Sequence, residues 1–219
     1  VDNIYKYVDV VRCGVWKART SPKDYAGQGY KALKWIEAAQ KKYNTPFAIE
    51  VGTPKHVELA LKHEIKIFWI GARTTSNPFA VQEIADAVKG LNAEIWIKNP
   101  IFTDLKLWFG AIERFNSNKI KVIHRGFYNE KTTNYRNPPR WDLVEKFKNI
   151  YPSIPIICDP SHITGNRNLI YMICKQAVKK NVDGLMIEVH NNPQKALSDK
   201  EQQLSPIDFI ELIKKLDLK

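Results

Sequence analysis

Short apolar segments alternate with amphipathic segments along the whole chain. The apolar segments are rich in Val and Ile and almost free of polar interruptions, as expected of parallel strands buried on both faces. Each is followed by a cluster of polar residues and then by a stretch with helical periodicity. We predict strands at Val8–Gly14, Pro46–Val51, Ile65–Gly71, Glu94–Lys98, Lys121–His124, Ile154–Cys158 and Gly184–Val189.

The amphipathic segments between the strands predict helices. In Tyr30–Tyr43, residues Leu33, Ile36 and Ala39 fall on one helical face. Three helix starts combine a capping side chain with a first-turn proline, at Thr53-Pro54, Asn77-Pro78 and Ser205-Pro206. We expect the remaining helices at Lys55–His63, from Pro78 onward, and at Leu105–Asn116, Trp141–Ile150, Leu169–Lys180 and Ile207–Leu216.

The regular alternation predicts one α/β domain over residues 1–219 with a parallel sheet. A doubly wound sheet is an alternative, but the glycine-rich dinucleotide-binding motif is missing after the first strand. Polar clusters at the strand ends favour a (β/α)8 TIM barrel, because barrel active sites are built at those ends. The 219 residues are slightly fewer than the ~250 typical of that fold.

The composition is that of a globular protein without a membrane segment. Hydrophobic residues make up 44% of the chain, and no apolar run approaches the ~20 residues of a membrane span. The cysteines are Cys13, Cys158 and Cys174, an odd number without a pairing pattern. We therefore expect a reducing compartment, the cytoplasm, and no disulfide framework.

The formal net charge of +11 has three possible explanations. Nucleic-acid binding is disfavoured, because no basic block with interleaved aromatic residues and no nucleic-acid-binding motif is present. A surplus of solvated surface lysines accounts for most of the charge. A minority of the cations could instead line a pocket for an anion, and the positions of the arginines favour that explanation for them.

Six cations lie at or just after predicted strand ends. In a parallel barrel these ends converge on one rim, so the cations would repel one another unless a ligand brought negative charge. Arginine binds phosphate and carboxylate oxygens through two parallel hydrogen bonds, and lysine adds a compact charge. We predict a multiply charged ligand carrying phosphates and a carboxylate, bound by Arg12, Lys17, Arg19, Arg73, Lys98 and Arg125.

A second group of polar residues follows the last two strands. His162, Glu188 and Asp199 combine an imidazole with two carboxylates, a donor set that suits a divalent transition metal such as Mn, Fe, Co or Zn. Each residue alone is weak evidence for a metal site. Asp199, for example, could simply cap the next turn. His190 is a further candidate ligand, or else a polar residue at a strand end.

These motifs, in this order, resemble the type I 3-deoxy-D-arabino-heptulosonate 7-phosphate (DAHP) synthases. The match is to the branch related to 3-deoxy-octulosonate 8-phosphate synthase. It rests on GARTT, IKNP, HRGF, CDPSH, GLMIEVH and KALSD, spread over the chain. The resemblance implies a TIM-barrel transferase of the shikimate pathway to aromatic amino acids. Such an enzyme condenses phosphoenolpyruvate with erythrose 4-phosphate and releases phosphate.

The resemblance also implies roles for individual residues. Lys17, Lys98 and His162 would be catalytic, and neighbouring cations would favour a neutral, proton-transferring Lys98. Arg19 and Thr20 would bind the sugar phosphate, and the metal ligands would be His162, Glu188 and Asp199. Phosphoenolpyruvate would be bound by Arg12, Lys17, Glu50, Arg73, Lys98 and Arg125.

The chain departs from the family pattern in two places. Ala18 replaces the usual proline of the sugar-phosphate loop. The family's fourth metal ligand, a cysteine in a Gly-Pro-Cys-Ser segment of the first barrel strand, has no counterpart, because the first strand here matches the family's second. We expect the barrel's first strand and helix to precede Val1 in the intact protein. Cys13 is not expected to replace that ligand, and Cys158 is expected to be a buried structural thiol.

Two other functions compete with this assignment. The related octulosonate synthases use arabinose 5-phosphate and typically read Lys-Ala-Asn-Arg-Ser-Ser, whereas residues 17–21 here read Lys-Ala-Arg-Thr-Ser without the Asn. A non-catalytic regulatory barrel is the second alternative, supported only by the missing cysteine. The resemblance further implies a homo-oligomer, dimer or tetramer, and a possible fused or associated chorismate mutase or regulatory domain outside this chain.

Overall fold

The computed structural model describes residues 1–115, 119–130 and 133–218. The chain divides into two compact units. The first, here called the N-terminal unit, consists of Val1–Pro100 and Asp104–Lys121. The second, the C-terminal unit, consists of Ile101–Thr103 and Val122–Lys219.

The N-terminal unit is built on four parallel strands, β1 to β4, paired in sequence order. Pairs in the register include Arg12 with Ala48, Glu50 with Trp69 and Ile70 with Ile97. Because all four strands run the same way, their carboxyl ends lie at one edge of the sheet. The strands are β1 Val11–Cys13, β2 Phe47–Glu50, β3 Ile67–Ile70 and β4 Glu94–Lys98.

Helices connect these strands, and local sequence signals mark their starts. Thr53 accepts a hydrogen bond from the His56 backbone, and Asn77 accepts two at the next helix start, each with proline in the first turn. Both predicted caps are therefore confirmed. The helices of this unit are α1 Tyr30–Tyr43, α2 Pro54–Leu61, α3 Ala72–Thr75, α4 Pro78–Val88 and α5 Leu105–Glu113, with a 3₁₀ turn at Tyr5–Tyr7.

The core of the N-terminal unit lies between the strands and their helices. Phe47, Phe68 and Ile95 are buried in the strands, and Leu33 and Ile84 are buried on the apolar faces of α1 and α4. Strands that are covered on both faces do not alternate apolar and polar residues, which explains their continuous apolar sequence.

The C-terminal unit contains three strands that also pair in parallel and in sequence order. Strand β5, Lys119–His124, starts in the last residues of the N-terminal unit and pairs through Val122, Ile123 and His124 with β6, Ile156–Cys158. Strand β7, Gly184–Leu185, pairs with β6 in turn. The helices are α6 Trp141–Ile150, α7 Pro160–Thr164, α8 Ile170–Lys179 and α9 Pro206–Lys215, with 3₁₀ turns at Arg167–Leu169, Pro193–Lys195 and Lys200–Gln202.

Packing in the C-terminal unit centres on the residues between β6 and α8. Cys158, Ile163, Ile173 and Ala177 are fully buried together. The last helix starts with a capping box in which Ser205 and Asp208 satisfy each other's backbone amides, confirming the third predicted cap.

All seven predicted strands are present, but five are shorter than expected, the first and the last by the most. Only Val11–Cys13 of the first segment belongs to the sheet. In the last segment the ladder stops at Leu185, and Val189 instead forms an isolated parallel bridge with Leu204. The helix predicted to reach Asn116 ends at Glu113, and Asn116 itself lies outside the described residues.

Two short helices were not predicted, and both carry candidate site residues. Helix α3 contains Arg73 and helix α7 contains His162. Helices of four or five residues are too short to show amphipathic periodicity, so their segments read as polar loop starts. Within the described ranges, no helix is both long and apolar enough to cross a membrane.

Candidate functional site

The candidate residues of the N-terminal unit are held by contacts from neighbouring strands. Arg12, in β1, places its guanidinium carbon 4.5 Å from the ring centroid of Trp69 in β3. Stacking on an aromatic face fixes the plane of the guanidinium without neutralising its charge. The stack therefore fixes the orientation of the Arg12 guanidinium.

Lys17 lies in a loop closed by backbone hydrogen bonds. Its amide donates to the Ala26 carbonyl at 2.9 Å, and the Gly29 amide donates to the Val15 carbonyl at 2.9 Å. Gly27 sits between them at φ +96°, where a Cβ would come within 2.2 Å of the Val15 carbonyl oxygen. Only glycine allows the two sides of this loop to approach so closely.

A ring stack attaches the same loop to helix α2. Trp16 and His56 have parallel rings, 1° apart in plane, with centroids 4.0 Å apart. The His56 Nδ1 accepts a hydrogen bond from the Gly52 amide at 3.2 Å. Burial lowers the pKa of His56, so its ring is neutral and carries its proton on Nε2 at neutral pH. The stack therefore fixes the position of Trp16, the residue that precedes Lys17.

Glu50 ends strand β2 with its carboxylate against the start of helix α3. A Cβ on Gly71 would lie 2.1 Å from the Glu50 Oε1 atom, so any other residue at position 71 would displace that carboxylate. The Glu50 side chain thus reaches across to the end of β3.

Arg73 and the sugar-phosphate loop meet directly. The Arg73 Nη2 donates to the Thr20 hydroxyl at 3.0 Å, joining a predicted phosphoenolpyruvate ligand to a predicted sugar-phosphate ligand. Arg19 forms an ion pair with Asp24 at 3.6 Å, within the same loop. Arg73 is exposed, whereas Lys98, the last residue of β4, is 5% exposed.

In the C-terminal unit, Arg125 follows directly after β5 and is buried. Its neighbour His124 is completely buried, with ring centroid 5.3 Å from that of Trp141. Neither ring nitrogen of His124 has a hydrogen-bond partner within the described residues. Burial, reinforced by the Arg125 charge and opposed only in part by the Pro139 carbonyl and Asp159, lowers the pKa of His124 to about 4.

His162 is oriented by Asp159. The Asp159 carboxylate caps helix α7 by accepting the His162 amide at 3.1 Å, and its two oxygens lie 3.0 and 2.9 Å from His162 Nδ1. A proton on Nδ1 satisfies this contact and leaves the ring lone pair on Nε2, the arrangement that metal-binding histidines use. The Asp159 side chain is 1% exposed, so the pair is largely shielded from water.

Glu188 and Asp199 are linked through a chain of side chains. Gln202 donates to the Glu188 Oε2 atom at 2.9 Å, and Arg136 donates to the Gln202 side-chain oxygen at 3.1 Å. Arg136 also donates to Asp199 at 3.1 Å. The Glu188 amide donates to the Ser161 hydroxyl at 3.0 Å, which joins this chain to helix α7.

The donor set has the right chemistry for a divalent transition metal, since it offers one imidazole and two carboxylates. Over residues 1–115, 119–130 and 133–218, however, no three His, Cys, Asp or Glu side chains are gathered closely enough to hold an ion. The assignment of a metal to His162, Glu188 and Asp199 therefore stays a prediction.

Three polar residues with evident positioning roles escaped the sequence analysis: Asp159, Arg136 and Gln202. Asp159 had a usable signal, because an Asp followed by Pro and placed three residues before a His is a helix cap facing that His. No sequence signal marked Arg136 or Gln202, because their contacts join residues that are far apart in the sequence.

The cysteines are all free, as expected, and Cys158 is fully buried, as predicted. Burial raises the pKa of Cys13 to about 11, outweighing the opposite effect of Arg12. Cys13 is therefore a neutral thiol at physiological pH.

The fold and the side chains together define a parallel α/β protein with cations at the carboxyl ends of its strands. The sequence model of the DAHP synthetase I family matches residues 4–218. The chain belongs to that family. The resemblance noted from the motifs is thereby confirmed.

Individual relatives agree with this placement. The chain is 29% identical over 218 residues to Phospho-2-dehydro-3-deoxyheptonate aldolase of Thermotoga maritima, a match covering 95% of this chain and 61% of that protein. It is 24% identical over 216 residues to 2-dehydro-3-deoxyphosphooctonate aldolase of Geotalea uraniireducens, covering 90% of this chain and 75% of that protein. The chain thus spans about three fifths of the length of the Thermotoga relative.

Solved structures support the fold in the same way. The crystal structure of the Thermotoga maritima DAHP synthase superimposes with a TM-score of 0.85 and 26% identity, covering 99% of this chain and 62% of that one. A truncated form of the same organism's enzyme superimposes with a TM-score of 0.82 and 25% identity. The match covers 99% of this chain and 78% of that one. The predicted barrel fold class is confirmed by these likenesses.

Proposed function

We propose that this chain condenses phosphoenolpyruvate with erythrose 4-phosphate to give DAHP and inorganic phosphate. The family match over residues 4–218 supports the reaction class, and the cations at the ends of β1, β3, β4 and β5 support the substrate class. The observation that carries most weight is this run of strand-end cations, because a doubly phosphorylated, carboxylated substrate pair needs it.

We assign phosphoenolpyruvate binding to six residues and sugar-phosphate binding to two. Arg19 and Thr20 would hold the sugar phosphate, in keeping with the Thr20 hydroxyl's contact to Arg73. Lys98 is the candidate for proton transfer because it is the buried amine of the set. Phosphoenolpyruvate would be bound by Arg12, Lys17, Glu50, Arg73, Lys98 and Arg125.

The chemistry balances with one water. Carbon 3 of phosphoenolpyruvate forms a bond to the aldehyde carbon, whose oxygen takes up a proton. Water adds at carbon 2 and loses a proton, giving a tetrahedral carbon that carries the phosphate ester. The bond from carbon 2 to the ester oxygen then breaks, and the departing phosphate takes up the proton that the carbon 2 hydroxyl loses as the ketone forms. The strand-end cations would hold carbon 3 facing the aldehyde and exclude competing geometries.

The test is phosphate release with two different aldose phosphates. Purified chain is incubated with phosphoenolpyruvate and either erythrose 4-phosphate or arabinose 5-phosphate, and the sugar product is identified by mass spectrometry. We expect a seven-carbon product and faster phosphate release with the four-carbon aldose. An eight-carbon product formed preferentially would establish the octulosonate synthase alternative. That alternative is favoured by the likeness to the Geotalea aldolase and disfavoured by the missing Asn in residues 17–21.

The regulatory-barrel alternative predicts no turnover with either aldose. It would be supported if the chain bound phosphoenolpyruvate without releasing phosphate, also after addition of Mn²⁺. A Lys98→Ala variant serves as the inactive control, because the loss of the buried amine should abolish turnover while leaving the fold of β4 intact.

We further propose a divalent metal, Mn, Fe, Co or Zn, at His162, Glu188 and Asp199. Support comes from the Asp159–His162 contact, which suits a metal-bound imidazole. Bound metal is measured by elemental analysis after dialysis against Mn²⁺ and by the paramagnetic resonance of Mn²⁺. A His162→Ala variant should lose bound metal, whereas His190→Ala should retain it. Equal metal content in both variants would reject the assignment.

Three broader expectations accompany this function. We propose that residues 1–219 act as one catalytic domain, that the protein works in the cytoplasm, and that it forms a homo-oligomer. Size-exclusion chromatography with light scattering tests the last of these, with a dimer or tetramer expected.

A further inference from the structure

A cavity of about 290 Å³ lies between the helices of the N-terminal unit. Its walls come from the end of α3, the first turns of α4, and one face of α5. None of the residues assigned to either substrate lines it. The cavity therefore belongs to a different part of the unit from the proposed active site.

One wall of the cavity is apolar. Pro78 and Val81 of α4 face Leu107 and Ala111 of α5. A ligand that fills the space must therefore have an apolar body, because a fully polar molecule would lose its hydration against these side chains. The volume equals the share of roughly ten water molecules, which suits a ligand of about ten non-hydrogen atoms.

The other wall carries charge. Arg114, at the end of α5, donates one hydrogen bond from Nη1 to the Gly110 carbonyl. Its Nε is buried and has no hydrogen-bond partner within the part of the chain that the structure describes. A guanidinium has five N–H donors, and this one lines the cavity, so its Nη groups can donate to a ligand there.

The charges of the residues that line the cavity favour a singly charged anion. Arg114 and Lys106 contribute two positive charges to the lining, and Asp104 contributes one negative charge while capping α5 through the Leu107 amide. A singly charged ligand balances this set, whereas a phosphate dianion would be repelled by Asp104. A carboxylate also matches the planar fork of arginine.

We propose that this cavity binds a small monocarboxylate with an apolar body, with Arg114 as its principal anchor and Lys106 as a secondary cation. The cavity also reaches Thr75, whose hydroxyl donates to the Gly71 carbonyl within helix α3. That helix carries Arg73, so the ligand sits against the element that presents a proposed substrate-binding arginine.

Phenylacetate, with ten non-hydrogen atoms, is the probe, and phenylacetamide is its neutral counterpart of equal size. Both are titrated into the ¹⁵N-labelled 219-residue chain while the amides of Thr75, Leu107 and Ala111 are followed. We expect saturable shifts with phenylacetate and at least tenfold weaker binding of the amide. Arg114→Gln should weaken phenylacetate binding at least tenfold, and Lys89→Gln, an exposed cation outside the cavity, should not change it.

Lys106→Gln is the second variant, because Lys106 is exposed and its loss leaves the fold intact. It should weaken phenylacetate binding severalfold. The proposal is overturned if the amide binds as tightly as the carboxylate, if both charge-removing variants bind like the unmodified chain, or if no saturable shifts occur. Inorganic phosphate displacing phenylacetate at lower concentration would show an anion site of another class. None of these readouts depends on condensation activity.

Discussion

The two units of this chain prepare their candidate residues in different ways. In the N-terminal unit the candidates are mostly cations, and their contacts include an aromatic ring, a hydroxyl and a short-range ion pair. In the C-terminal unit the imidazole and carboxylates are each held by another polar side chain, Asp159, Gln202 or Arg136. The first set is mainly positively charged, and the second is fixed in a network.

The two kinds of contact predict different effects of substitution on ligand binding and on stability. If the N-terminal cations bind the substrate, removing one should weaken ligand affinity more than folding. Removing a member of a connected polar network leaves its buried partners without hydrogen bonds, which costs free energy of folding. We therefore expect substitutions in the N-terminal unit to act on substrate affinity, and those in the C-terminal unit to act on stability as well.

The largest stability effect should come from His124 in acid. Its folded-state pKa of about 4 lies below the ordinary 6.5, so folding favours the neutral ring. This contribution is fully present above pH 6.5 and is lost as the pH falls towards 4, with about 2 kcal/mol gone by pH 5. Urea unfolding at pH 7.5 and pH 5 should show this loss in the unmodified chain.

A His124→Phe variant is the control for that measurement, because phenylalanine fills similar space and does not titrate. Its free energy of unfolding should fall less between the two pH values, by the same ~2 kcal/mol. Identical pH dependence in both proteins would mean that His124 is not buried in its neutral form.

A smaller loss is expected from Arg136→Met, which removes the link between Asp199 and Gln202. Two hydrogen bonds of the network disappear, at a cost of about 1–2 kcal/mol in the free energy of unfolding. Arg140→Met is the matched control, because Arg140 forms an exposed ion pair with Asp142. Exposed pairs contribute roughly 0–1 kcal/mol. Equal losses in both variants would argue against a connected network around Glu188.

The smallest effect on folding should come from Gly71→Ala. The added methyl group would collide with the end of the Glu50 side chain, which can swing aside. We expect less than about 1 kcal/mol of destabilisation, and a severalfold loss of phosphoenolpyruvate affinity as the carboxylate moves. Gly52→Ala, whose Cβ would meet Thr74 at an ordinary 3.9 Å, is the control and should leave affinity unchanged.

The sequence was sufficient for most of the fold, because continuous apolar runs and proline-marked helix caps are local signals. Strand β4 and helix α1 have the bounds that their patterns predict. The strand ends at Val8–Val10 and Met186–Val189 were overestimated, since pairing depends on a neighbouring strand that apolar sequence alone does not reveal.

Sequence reasoning named candidate residues by type but revealed little of their contacts. The hydrogen bond from Arg73 to the Thr20 hydroxyl, for example, joins residues predicted to bind different substrates. The contacts of Glu188 and Asp199 with Gln202 and Arg136 depend on loop conformations, including the left-handed backbone of Asp199 at φ 53°. No periodicity or spacing in the sequence encodes such contacts.

The central claim is that the strand-end cations, and not the imidazole–carboxylate set, bind phosphoenolpyruvate. Calorimetric titration of phosphoenolpyruvate into Lys98→Ala and His162→Ala tests it directly. Lys66→Ala serves as control, an exposed lysine at the opposite end of β3. Lys98→Ala should weaken binding roughly tenfold to a hundredfold, as loss of a charged hydrogen bond does, while the other two should bind within twofold of the unmodified chain. Unchanged affinity in Lys98→Ala, or an equal loss in His162→Ala, would contradict this account.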